Sequence, residues 1–404
     1  MHVPGWHEAV RSLGIGDRLQ MVGILQEQHP DRARLFMQWK RMDWPLLVDS
    51  LGLLGVPYVP ITLAIDEGGI VRRIDPPLAS PDELKSTFVE RRFPGGEEGP
   101  SRPPSAPDLE ELCAAAAERG AAGWRACADA LFLWGGPRRL DEAISLYRKA
   151  IGAEPEDGAT HFRLGVAYRA RYDSEGRRPG DFRRAVEAWA RALHIDPNNY
   201  IRRRRIQQYG PRLEKPYSFY DWVALARREI RARGEQPLPL IVEPGGAEFA
   251  RPAAAFAPAA AAAEPDPEGR IVRDTRGFIR VESTVVPPAI APGTAARVHV
   301  TFTPNAAIKA HWNNEVSDLL VWLSPPNGWQ VESRRHAYPN PPQPVSREVR
   351  EVEFEARAPE GAVARRATIS GYALYYVCED VKGTCLYRRQ DLEIPVRVGA
   401  AERR

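Results

Sequence analysis

Two stretches of this 404-residue chain repeat one another, and the repeat constrains the fold more than any other feature. Leu140 to Ala150 (LDEAISLYRKA) matches Phe182 to Ala192 (FRRAVEAWARA) position for position, and each is followed by a proline, Pro155 and Pro197. Ala143 and Ala185 stand 42 residues apart, as do the two prolines. Apolar and small residues recur at three- and four-residue spacing, the period of a helix buried on one face. The small Ala and Gly positions let neighbouring helices approach, while Tyr147 and Trp189 fill the space between turns. Repeated helices of this kind build a continuous core only by stacking. The chain from Asp108 to about Arg233 is therefore expected to be a helical array.

The extra length sits in one polar insert, Arg171 to Gly180, and Leu164-Gly165 and Tyr168 fall on the first helix of the second repeat. This pattern resembles the tetratricopeptide repeat, with the first repeat carrying Cys127 where that motif has Trp. The resemblance implies a partner-docking groove lined by first helices, near His161 and Tyr168. Trp222, Leu225, Ala226 and Ile230 lie at helical spacing in a terminal helix that would cover the end of the stack. Arg202 to Arg205 is a short basic run with Glu214 and Asp221 nearby, which reads as a solvated or partner-facing helix rather than a nucleic-acid patch.

A chain of this length needs two or three domains. Pro/Gly-rich residues 94–107 and the Ala/Pro-rich stretch within 236–269 read as linkers, separating segments 1–93, 108–235 and 270–404. The expected class is thus multidomain, with an α/β, an all-α and an all-β part. A net charge of +3 is too near balance to argue for nucleic acid or a membrane surface, and no apolar run reaches the roughly 18 to 20 residues of a membrane span. The eight histidines show no metal-ligand spacing, and no phosphate-binding Gly loop or Gly-x-Ser-x-Gly elbow occurs, so no metal or cofactor is expected.

In the first segment, Leu19 to Leu25 reads as a strand, Asp31 to Met42 as a helix, and Val59 to Val71 as strand, Gly turn and strand. This order resembles the second half of thioredoxin-like redoxins of the AhpC and TlpA type. The resemblance implies a cis bond before Pro60 and a Cys-x-x-Cys upstream, yet the first cysteine is Cys113. It further implies that the dithiol half lies before Met1 or has been lost, and an extracytoplasmic location if the start is truncated. No signal peptide is visible in the chain itself. Glu27 to Arg32 follows the strand end, as a functional loop or as ordinary helix capping by Pro30 and Asp31.

From Arg270 onward the pattern alternates. Arg297–Phe302, Leu319–Leu323, Val349–Ala356, Arg366–Tyr376 and Leu392–Val398 are strand candidates between Pro/Gly/Asn turns, as in an antiparallel β-sandwich of immunoglobulin type. Cys378 and Cys385 edge a Gly-containing connection between two strands, and hairpin geometry brings such positions within reach of the roughly 4.4 to 6.8 Å Cα separation of a disulfide. Three readings stay open: an exchanging dithiol, a static bridge, or two unlinked thiols. Glu379 and Asp380 disfavour a thiolate, whereas Lys382, Arg388 and Arg389 favour one. With Val285 to Gly293 at its opening, the segment resembles the amino-terminal domain of the thiol:disulfide interchange protein DsbD. That resemblance implies electron transfer through Cys378 and Cys385 to a thiol or disulfide partner.

His311 to Glu315 reads as a loop, either for surface recognition or simply holding a packed Trp. Cys113 and Cys127 read as small buried hydrophobes. One continuous helix would hold them about 21 Å apart, although Gly120 and Gly123 are placed to break it. Two functions remain: a redox-associated protein whose array docks a partner, or a non-enzymatic adaptor carrying a relic redoxin fold.

Overall fold

Local sequence period sets the elements in the computed structural model, which describes residues 2–12, 18–56, 59, 61–74, 83, 85–93, 106–211, 222–242, 263–363, 365–379 and 385–399. Helices and antiparallel sheets both occur, and the chain divides into two compact units. The first comprises Met1–Gly176, Arg191–Arg205 and Tyr217–Glu243; the second comprises Arg177–Ala190, Ile206–Pro216 and Pro244–Arg404.

The first unit begins with α1 (His2–Ser12), β1 (Gly23–Leu25), α2 (Asp31–Lys40) and β2 (Leu46–Val48). β1 and β2 pair in parallel, Gly23 opposite Leu46 and Leu25 opposite Val48. β3 (Leu63–Ile65) and β4 (Val71–Ile74) form a separate antiparallel hairpin. Asp66 caps its turn, accepting the Gly68 and Ile70 N–H groups, and Gly69 supplies the positive φ. The strands are shorter than the alternation predicts, and Ile24, Leu47, Ile65 and Ile74 are exposed on them. Pro60 lies outside the described residues. The cis peptide bond among the described residues is Val286–Pro287.

The helices α3 (Leu109–Ala114), α4 (Gly120–Trp134), α5 (Leu140–Ala153) and α6 (Gly158–Tyr172) follow. Asp108 caps α3 and Asp157 caps α6, each side chain accepting two first-turn N–H groups. The sequence expectation for Cys113 and Cys127 fails here: they form a disulfide, with Cα atoms 5.1 Å apart. The chain reverses between α3 and α4 because Gly120 takes φ +60°, and Gly123 has no Cβ to collide with the Ala116 carbonyl, which would lie 2.3 Å from one. Two short helices therefore run back along one another where a single long one would have kept the sulfurs apart.

α7 (Asp181–Ile195) is the second copy of the repeated sequence, and α8 (Tyr200–Gln207) carries the arginine run. That run is only partly a solvated face, with Arg202, Arg203 and Arg204 half-buried. Arg205 is buried, donating to Gln28 Oε1 at 2.8 Å and the Ser50 carbonyl at 3.1 Å, with its guanidinium 4.9 Å from the Phe162 ring. Arg202 donates to the Ala192 carbonyl and Arg203 to the Pro197 carbonyl. Four cations on one short helix are tolerated because such contacts tie several of them to carbonyls and amide oxygens of the same unit. α9 (Trp222–Ala232) turns the apolar stripe predicted to cover the stack onto α2: Val223, Ala226 and Ile230 share a core with Leu35 and Trp39. Trp39 stacks on Trp222 and donates to Glu229 at 2.6 Å.

The second unit holds two sheets over one core. One has the order β5 (Ile279–Val286), β6 (Ala295–Pro304), β12 (Arg350–Arg357), β9 (Gln330–Val331), all antiparallel. The other is built round β13 (Arg365–Cys378), which pairs along its length with β14 (Cys385–Val398). On its opposite edge β13 meets β8 (Leu319–Ser324) and then β7 (His311–Asn313); β10 (Arg335–Tyr338) and β11 (Val345–Ser346) flank these. Val298, Val300, Phe302 and Phe354 from the first sheet pack against Val321, Ile369, Tyr375 and Ile394 from the second. His311 to Asn313 is a strand rather than the predicted loop: Trp312 is buried, donates to the Glu348 carbonyl at 2.9 Å and lies under the Arg350 guanidinium. Among the described residues no helix is long and apolar enough to cross a membrane.

Candidate functional site

Cys378 is the last residue of β13 and Cys385 the first of β14, so they form the terminal pair of the β13–β14 ladder. Their Cα atoms are 4.2 Å apart and the sulfurs are bonded. That separation is the short one of directly opposed residues in an antiparallel ladder, and it places the two sulfurs within bonding reach. The two cysteines differ in access. Cys378 is 2% exposed, whereas Cys385 is exposed at the strand end.

Strand alternation decides what surrounds them. Val377 and Tyr375 point into the core between the sheets, so Cys378, Tyr376, Leu374 and Tyr372 share the outer face. One step from the disulfide, Tyr376 stacks on Tyr387 at 4.4 Å. On the other edge of β13, Cys378 is directly opposite His311 of β7. One sheet thus places Cys385, Cys378 and His311 side by side on three adjacent strands.

The charges that left thiolate stability undecided in the sequence are largely committed elsewhere. Glu379 pairs with Arg276 at 2.7 Å. Arg389 is held by Asp266 at 2.9 Å and Asp391 at 2.8 Å, over the Tyr372 ring. Arg388 lies opposite Tyr375, which faces the core. Asp380 and Lys382 are outside the described residues.

The residues predicted to line a docking groove are both on α6, but neither forms an open surface. Tyr168 is 7% exposed with the Arg171 guanidinium over its ring, and His161 is half-buried with Nε2 2.9 Å from the Pro155 carbonyl. The same helix is met by loops of the chain's own first segment: Gln28 donates to the Val166 carbonyl and Arg163 donates to the Leu51 carbonyl. The loop Glu27 to Arg32 belongs to this contact. Its His29 is buried, and burial, together with the charges of Arg169, Arg205 and Arg32, lowers its pKa to about 2. It is a packed neutral imidazole in an interior loop.

A second cluster escaped the sequence reading because its members are some fifty residues apart. His299 on β6 is opposite Glu353 on β12, and Glu351 is two residues along on the same face. The His299 Nδ1 lies 2.9 Å from a carboxylate oxygen of each, and Nε2 lies 2.8 Å from the Tyr209 carbonyl. These ligand-type atoms of His299, Glu351 and Glu353 lie within 4.8 Å of one another. Both ring nitrogens face only acceptors, so the ring must carry both protons. Burial alone would lower its pKa, but the hydrogen bonds and charges of Glu351 and Glu353 raise it to about 9. Arg297, 3.4 Å from Glu353, supplies a second positive charge against the two carboxylates. The cluster is therefore satisfied by a proton, and a divalent ion at Nδ1 would have to displace it.

No family model matches the chain, and none of the curated proteins matches it. Solved structures with some likeness include one titled "AvmM Catalyzes Macrocyclization in Alchivemycin A Biosynthesis", 14% identical, covering 33% of this chain and 98% of that one at a TM-score of 0.20. Another is BslA, described as a bacterial hydrophobin, 12% identical over 30% of this chain and 96% of that one at a TM-score of 0.15. At such scores neither likeness bears on the fold or the function of this chain.

Proposed function

We propose that this protein takes part in thiol–disulfide exchange through Cys378 and Cys385, on a β-sandwich resembling the DsbD amino-terminal domain. The observation that carries this reading is the unequal exposure of the pair: an exposed Cys385 bonded to a buried Cys378. Exchange needs one sulfur that a partner thiolate can reach and another that leaves and returns without competing for partners. A partner thiolate attacks the Cys385 sulfur, the intramolecular S–S bond breaks, and Cys378 departs as a thiolate that takes up a proton. A second partner thiol then attacks the mixed disulfide, releasing Cys385 as a thiol and the partner as its disulfide. The reverse sequence oxidises the site.

With this reading go a tetratricopeptide-like array over 108–235 and a partial redoxin-like segment over 1–93. The helical repeat and the parallel β1–β2 pair beside α2 support these assignments. The four cysteines are all paired, which favours an oxidising compartment. Both this reading and the adaptor alternative place partner docking on the array, and the contacts of Gln28 and Arg163 on α6 narrow the surface open to it.

Redox titration of the full chain, with alkylated cysteines mapped by mass spectrometry, tests the proposal. Exchange predicts that Cys378–Cys385 opens at a midpoint above about −300 mV, the region of labile and catalytic disulfides. A midpoint well below that limit would mean a static bridge and return the chain to the adaptor reading.

A further inference from the structure

We propose that His311 is the proton partner of Cys378, a role that rests on the exchange reading above. Antiparallel register places His311 directly opposite Cys378 across β7 and β13, and Cys385 directly opposite it across β13 and β14. Directly opposed side chains share a face, with Cβ atoms about 4.5 to 5.5 Å apart, so the imidazole and the sulfur that must gain and lose a proton project from neighbouring positions on one face of the sheet. Both His311 and Cys378 are 2% exposed. Water has little access to that sulfur, and a neighbouring base matters most where water cannot serve.

The ring's second contact favours one tautomer. Nδ1 lies 3.4 Å from the Lys309 carbonyl, which can only accept, so Nδ1 carries the hydrogen and Nε2 is the basic nitrogen of the neutral ring. Among the described residues Nε2 has no hydrogen-bond partner. The other charged or titratable groups around the pair are Glu379 with Arg276, the stacked Tyr376 and Tyr387, Lys309 itself, and Arg347 one residue beyond β11. Glu379 and Arg276 neutralise each other.

The chemistry balances without another reagent. In ring closure, the Cys378 thiol gives its proton to His311 Nε2. The resulting thiolate attacks the Cys385 sulfur of the mixed disulfide, and the partner's sulfur leaves with the electron pair of the broken S–S bond. In ring opening the imidazolium returns the proton to the departing Cys378 thiolate.

The test uses the full chain, reduced and then treated with oxidised glutathione, with acid quench and mass analysis to follow the Cys385–glutathione mixed disulfide. In the parent protein its collapse should slow, with an inflection, as pH falls and protonation removes the base. His311→Gln should slow collapse at pH 7 at least about tenfold, a small share of the usual gain from acid–base catalysis, and remove that inflection. Cys378→Ser marks the limit at which collapse stops. An unchanged rate and pH profile in His311→Gln, with the disulfide still cycling, overturns the role of His311. A disulfide that opens in neither protein overturns the exchange reading and this role with it. Should His311→Gln fail to fold, the His311 ring resonance of the parent protein decides: its titration midpoint should shift on reduction, and identical midpoints in both redox states refute the proposal.

Discussion

At the scale of single residues, the pairing of β13 with β8 depends on a glycine that the sequence gives no reason to notice. A Cβ on Gly371 would lie 2.3 Å from the Trp322 carbonyl oxygen on β8, a backbone atom that cannot swing aside. Glycine in a strand interior often marks such a close approach. Gly371→Ala should therefore separate β8 from β13 and cost about 1 to 3 kcal/mol, the usual range for overpacking. Urea unfolding would show this as a lowered midpoint; a midpoint within error of the parent protein would mean that β8 shifts freely. The cysteines themselves were legible as a hairpin pair from the Gly-containing turn between them. His311 beside Cys378 was not, because 66 residues of intervening chain leave strand register unspecified until the sheet forms.

Among the elements, the clearest departure from expectation is the α3–α4 pair. Helical composition surrounds Cys113 and Cys127, and composition alone cannot tell one long helix from two short antiparallel ones. Gly120 and Gly123 were visible as breaking positions, but the direction of the reversal depends on how the two backbones pack. The disulfide links residues 14 apart in sequence, and a loop of about that size implies roughly 3 kcal/mol of stabilisation by chain entropy. The Cys113→Ala, Cys127→Ala double variant should lose about that much stability to urea while keeping its far-ultraviolet helical signal. No loss would mean that packing alone holds α3 on α4. The repeated helices were read at nearly their observed bounds because small and aromatic positions at fixed offsets survive any tertiary context. Nothing in the sequence of α6 says that Gln28 and Leu51 reach it.

For the whole molecule, each compact unit contains one buried histidine with a shifted pKa, and the two are shifted in opposite directions. His29 is lowered to about 2 from 6.5, so between those values the unfolded chain holds a proton that the folded chain does not, and the first unit loses stability as pH falls below 6.5. His299 is raised to about 9 from 6.5, so its contribution is fully present below 6.5 and is lost as pH rises through about 9. Each limb has a limiting slope of about 1.4 kcal/mol per pH unit for one proton. Hydrogen exchange of the full chain at pH 5, 7 and 9 should show α2 and α6 loosening in acid and β6 and β12 loosening in alkali. His29→Gln should flatten the acid limb and His299→Gln the alkaline one. Parallel loss of protection in both units at both extremes would show that neither histidine governs its unit.

What the sequence determined by itself was local: the helical repeat and its insert, the alternation of the carboxy-terminal strands, the turns, and the placement of Cys378 and Cys385 at the two edges of a short hairpin. These follow from periodicity and chain geometry over a dozen residues, which no distant contact can alter. Only the tertiary structure decided which residues from separate segments meet. It brought His311 to Cys378, set His299 between Glu351 and Glu353, drew Arg205 out of solvent and laid the first segment's loops on α6. Each of these depends on strand register or on packing between segments far apart in the chain, and neither is fixed until the core closes.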